Sequence, residues 1–182
     1  MDTEFRTFWR RYWALVIDSL LLLPLAVILF GIGWQVTAPA MQIMLHVVGS
    51  FYGVAYSVFF HAKYGQTLGK MATRIKVVDL SGQPIGIRQA LWRDGPTIVF
   101  SWASAPYGIR TALDGINPLT FDVLKVVPPL LVYANLVWIL AEFVTMLTNR
   151  RRRAIHDWIA GTLVVRTNPG TSPVVGVMPA AG

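Results

Sequence analysis

The stretch Phe8–Pro24, FWRRYWALVIDSLLLLP, decides the fold. It begins as a collar of arginines and aromatic rings and becomes an unbroken apolar run with one carboxylate, Asp18, inside it. Such a run reads as a membrane span, and aromatics beside arginines mark the interface where it enters. An ionised side chain at the centre of a span costs about 2.5–3.5 kcal/mol on insertion scales, so Asp18 calls for a compensating partner. Arg11 precedes it by seven residues. That is almost two helical turns, about 10 Å of rise on one helix face.

The whole chain carries the same signature. Of its 182 residues 54% are hydrophobic and 14% charged, and the apolar residues come in spans of about 20, which excludes disorder and disfavours a water-soluble core. The absence of cysteine excludes disulfides, thiol catalysis and Cys-based metal sites. The net charge of +7 sits largely beside apolar spans, so it reads as topology and anionic lipid headgroups rather than nucleic acid. The first apolar run is long and no small-residue cleavage site follows it, so no cleavable signal peptide is expected.

Four spans are predicted: about 13–32, 43–62, 95–113 and 126–148. Pro24 removes a backbone bond inside the first and predicts a kink. Trp34–Gln42 lacks Lys and Arg and reads as an outer loop. In the second span Gly49, Gly53 and Ser57 recur every four residues, a small-residue stripe that lets another helix approach. His46 and His61, near opposite ends, read as interfacial or hydrogen-bonded rather than metal-binding. Lys63–Asp94 has a basic excess and reads as a cytoplasmic loop. Within it Arg74–Asp79, a Ser81-Gly82 turn and Gln83–Ile85 predict a small β-hairpin, to which Thr162–Arg166 can add a strand.

GQTLGK at Gly65–Lys70 has the wrong glycine spacing for a phosphate loop and Met71 where a hydroxyl is needed. Ile87–Asp94 reads as an interfacial helix. Gly95–Leu113 is the weakest span, with Pro96, Pro106 and Arg110. It is required to cross because the first span starts, and the last ends, on the cytoplasmic side. Arg150, Arg151, Arg152 and Arg153 mark that last end as a stop-transfer and headgroup anchor. Arg110–Lys125 is then a second outer loop, Ala154–Gly161 an interfacial helix, and 167–182 a disordered tail behind one domain over 1–166.

The sharpest candidate site is acidic. Asp18 and Glu142 are placed at similar depth in the inner half of the bilayer, where two carboxylates can share a proton, bind a cation or pair with arginine. The alternative is structural: Asp18 neutralises Arg11 or one of Arg150–Arg153 and locks the helices. His156-Asp157 lacks a nucleophile beside it, so no hydrolase is read.

These motifs together resemble the RDD family of membrane proteins, named for an arginine and two aspartates. RRYWALVID resembles its first-span signature, GQTLGKMATRIKVVD with Gly82, Pro84 and Arg93 its central stretch, and RAIHDWIAGTLVV its closing stretch. The resemblance implies Arg11 as the arginine, Asp18 as the first aspartate and Asp157 as the second. It covers about Phe8–Arg166. Glu142 and the Arg110–Lys125 loop carry no family motif. The family implies a multi-span membrane protein, not an enzyme, linked to transport and to cation/proton antiport.

The combined expectation is an all-α membrane protein: a four-span transmembrane helix bundle with interfacial helices and a small cytoplasmic β-hairpin. It is plasma-membrane, multi-pass, with both termini cytoplasmic. It needs no cofactor and no metal, binds no nucleic acid, and is a homo-oligomer or has a membrane-protein partner. The leading function is small-ion transport, with Asp18 carrying a proton or monovalent cation, Arg11 setting its pKa and Asp157 gating. The rival is a scaffold or assembly factor that docks a partner through the basic loop.

Overall fold

The computed structural model of the chain describes residues 7–115, 126–149 and 151–167. Along it run α1 (Phe8–Gln35), α2 (Pro39–Tyr64), α3 (Leu68–Ala72), β1 (Ile75–Asp79), α4 (Ile87–Leu113), α5 (Pro129–Thr148), α6 (Ile155–Ile159) and β2 (Thr162–Arg166). The collar and first span form one helix, α1, which runs on through Pro24. α2 opens on Pro39 and stops at Gly65, whose φ of 70° is left-handed and suits glycine.

Three helices, α1, α2 and α5, are long and apolar enough to cross a membrane. Side chains such as Leu20 and Val27 on α1 and Leu130 and Val137 on α5 stay exposed, as expected of helices solvated by lipid tails. α5 starts at Pro129, three residues later than predicted, because the Pro128-Pro129 pair suits a helix start rather than its interior.

The predicted third span, Gly95–Leu113, is not among these three. Ile87–Asp94 and Gly95–Leu113 are not separate elements but one helix, α4. It falls short of the apolarity of a span, since Arg88, Arg93, Asp94 and Arg110 interrupt it. It nonetheless runs antiparallel along α2. Ser57 meets Asp94, the Phe51 and Trp102 rings lie 5.5 Å apart, and His46 packs on Gly108. A Cβ on Gly108 would fall 1.9 Å from His46 Nε2, so this glycine sets the approach of the two helices. Gly49 and Gly53 do not: a Cβ on either meets nothing within 4 Å.

The local hairpin is also corrected. β1 pairs antiparallel with the distant β2, in register Ile75↔Arg166 to Asp79↔Thr162. The nearby Gln83–Ile85 segment makes only the bridge Val78↔Pro84, and proline has no N–H with which to extend a ladder. Asp79 Oδ1 closes the turn between them by accepting from Ser81 N and Gln83 N, each at 2.8 Å. The two-stranded sheet buries both faces. Ile75, Val77 and Val164 join Ala14, Ile85 and Ala90 in one cluster, while Val78, Leu163 and Val165 form another. The first cluster fastens the sheet to α1 and α4. The predicted outer loop beyond residue 115 and the predicted tail beyond 167 lie outside the described residues, as does Arg150.

Candidate functional site

The start of α1, the end of α2, the start of α4 and the end of α5 gather at the sheet, and three polar assemblies hold them there. The first is centred on Asp157, fully buried on α6. Its Oδ2 accepts from Arg11 Nη1 at 2.6 Å and from Ala154 N at 3.0 Å. Its Oδ1 accepts a short hydrogen bond from Arg93 Nη1, which also donates to Thr162 Oγ1 at 3.0 Å. Burial alone would raise the Asp157 pKa. The charges of Arg11 and Arg93 outweigh it and hold the carboxyl well below the usual carboxylate range. This clasp joins α1, α4, α6 and β2. Arg153 closes its back, donating to Thr162 O at 3.1 Å and Asp157 O at 3.0 Å.

The second assembly is a latch on Asp18. Its carboxylate accepts from Tyr56 Oη at 2.7 Å, Thr67 Oγ1 at 2.6 Å and Gly69 N at 2.7 Å. Tyr56 Oη in turn accepts from Leu68 N at 3.0 Å. The GQTLGK stretch is thus a helix start: Thr67 caps α3 through Lys70 N, and α3 sits on α1 at Gly69. Asp18→Asn is expected to lower stability by about 1.5–3 kcal/mol, the range for a hydrogen bond to a charged group. Thermal unfolding in detergent measures this, and unchanged melting would show the latch to be idle.

The third assembly is a chain of titratable groups. Lys70 Nζ lies 2.6 Å from His61 Nε2, His61 Nδ1 lies 3.1 Å from Ser57 Oγ, and Ser57 Oγ lies 2.9 and 3.0 Å from the Asp94 oxygens. One hydroxyl proton orients the chain. If Ser57 donates to Asp94, His61 donates from Nδ1 and accepts from Lys70 at Nε2. With the proton at the other end, every bond reverses. The chain therefore has two matched states, which differ by one proton moved between Lys70 and Asp94. Burial, reinforced by the charge of Arg93, lowers the Lys70 pKa to about 7, where proton exchange is easy.

All four groups line one cavity of about 250 Å³, together with Arg11, Arg93 and His156. Aromatic and apolar side chains, among them Phe8, Trp138 and Phe143, also line it.

The sequence-predicted residues are therefore redistributed. Arg11 binds Asp157, and Asp18 has neutral donors as partners. Glu142 lies apart from Asp18's partners, accepting from His156 N at 3.1 Å with His156 Nδ1 2.7 Å from its other oxygen. Arg152 donates to Leu147 O at 2.6 Å at the end of α5. The sequence reading missed Arg93, Lys70, His61, Asp94 and Tyr56 as members of a site. A signal existed for one of them: Ser57 and His61 lie four apart on one face of α2.

Fold and site define a polytopic membrane protein whose helices are bound at one end by buried ion pairs. The chain belongs to the RDD family, whose sequence profile matches residues 5–161. No curated protein matches it, and no solved structure does.

Proposed function

We propose that this protein is a proton-coupled small-ion transporter. The observation that carries the reading is the Lys70–His61–Ser57–Asp94 chain on the wall of the cavity. Ionisable side chains among membrane helices are costly, and a continuous hydrogen-bonded row of them is the arrangement that proton relays use. In this reading the proton travels along that row, while the Asp18 latch and the Asp157 clasp hold the frame around it. α4 serves as the fourth crossing beside α2, which puts both termini on the cytoplasmic side. A second copy or a membrane partner completes the path, because four helices enclose little.

The test is pH-gradient dissipation in proteoliposomes on addition of Na⁺, K⁺, Li⁺ or phosphate. Wild type should respond to at least one of these, and Asp94→Asn should slow the response at least about tenfold in protein that remains folded. A tenfold effect corresponds to about 1.4 kcal/mol. A wild type that answers none of them sinks the reading.

One observation favours a second reading, a membrane scaffold. Both of the family's named aspartates have their hydrogen-bonding capacity taken up by internal partners, as a fixed frame requires. In that case the basic 63–94 segment docks a partner, and Asp94→Asn affects no flux.

A further inference from the structure

We propose that the cavity binds an anionic group, a carboxylate or phosphate, held by Arg11, Lys70 and Arg93. The inference rests on the transport reading only for its physiological meaning, where it names the class of ion carried. The site itself stands on geometry.

The first ground is an unmet donor. Arg11 lines the cavity with its side chain only 9% exposed, and its Nη2 is buried without a hydrogen-bond partner among the described residues. Its Nη1 is committed to Asp157 and its Nε to Thr7 Oγ1 at 3.3 Å. A buried donor on a charged group left open is expensive, and it calls for a partner such as an ordered water or a bound anion.

The second ground is charge. Three cationic side chains, Arg11, Arg93 and Lys70, reach the cavity with one carboxylate, Asp94, and even with Asp157 offsetting one of the two arginines the balance stays positive. Asp157 is absorbed between both arginines, and Asp18 is turned to Tyr56, Thr67 and Gly69 and is not on the wall. A bare cation entering here would meet like charge, whereas an anion complements the guanidiniums and the ammonium together.

The third ground is size. About 250 Å³ lies just under the range of drug-sized pockets, about 300–1,000 Å³, and suits an anion of a few heavy atoms. The aromatic residues in the lining suit a short apolar body.

Binding should be linked to a proton. Lys70 is faced by His61 from α2, Arg93 and Asp94 from α4, and Arg11 and Asp18 from α1. An anion beside it favours the charged ammonium. Above neutral pH, where Lys70 is largely neutral, the anion must therefore bring a proton with it, and affinity falls as pH rises.

The experiment is calorimetric titration of the full chain in phosphatidylcholine nanodiscs with inorganic phosphate and with acetate. It is run at pH 6.5 and 8 in two buffers of different ionisation enthalpy. Expected are saturable binding, tighter at pH 6.5, proton uptake at pH 8, and at least tenfold weaker binding in Arg11→Gln and Lys70→Met. Arg11→Gln also cuts the clasp, so Lys70→Met, which leaves the clasp untouched, is the deciding variant. Its proton uptake should vanish.

No saturable binding of either anion, or equal binding by Lys70→Met, overturns the proposal. Flux driven by Na⁺ or K⁺ with no anion binding overturns it while leaving the transport reading intact. Anion binding without any flux sinks transport and leaves the site. Weaker phosphate binding in phosphatidylglycerol nanodiscs identifies a lipid headgroup as the occupant. Unchanged binding there identifies a free anion, and either result supports the site.

Discussion

Replacing Asp157 by alanine is expected to destabilise the fold by about 3–5 kcal/mol, the range for removing one partner of a buried ion pair. The effect is large because two guanidiniums depend on one carboxylate. Arg11 and Arg93 are 9% and 4% exposed, Asp157 not at all, so both cations would be left in a poorly solvated place. The loss would also free Ala154 N, the start of α6. Thermal unfolding in detergent, or yield of folded protein from membranes, reads the result. The double variant Asp157→Ala/Arg93→Met should recover part of the loss, since it removes one stranded charge.

The pH dependence follows from the same contacts. A carboxyl whose folded pKa is depressed contributes stability above its ordinary pKa and loses it as pH falls through the depressed value. The clasp should therefore be constant from about pH 5 to 8 and fail only in strong acid. An Asp157→Ala protein that melts with wild type would mean the arginines find other anions.

The second large effect is expected at Gly69. A Cβ there would stand 2.1 Å from Ala14 O and 2.8 Å from Asp18 Cγ. The first of these is backbone of a long helix and cannot step aside, so Gly69→Ala must push α3 off α1 and stretch the latch. Overpacking of this kind costs about 1–3 kcal/mol, sometimes more. The comparison is Gly49→Ala and Gly53→Ala, where a Cβ meets nothing within the chain. Those variants should be neutral, or gain up to about 1 kcal/mol of helix propensity. Unfolding of all three in detergent decides the matter. A loss at Gly49 or Gly53 alone would show that the stripe is covered by a second chain.

The sequence by itself determined what depends on local composition. The apolar runs of α1, α2 and α5 declared themselves because lipid demands about 20 apolar residues and a closed backbone, whatever the neighbours are. The ordered RDD motifs were legible too, since they are strings of neighbours in the chain. The β-prone runs at 74–79 and 162–166 were visible, as was the turn at Ser81-Gly82.

What only the tertiary structure decided is which charges meet. Arg11 and Asp18 share a helix face, and helical spacing suggested that they pair. But Asp157, 146 residues from Arg11 in the chain, takes up its guanidinium together with that of Arg93, and α3 delivers its hydroxyl and amide donors to Asp18. Helix rotation and the landing point of a distant segment have no local signature, so the pairing remained hidden. The same holds for the proton chain, because Lys70 and Asp94 lie on different elements, α3 and α4, and are joined only through His61 and Ser57 of α2. The cavity is likewise a product of packing, the space left where the ends of four helices converge on a small sheet.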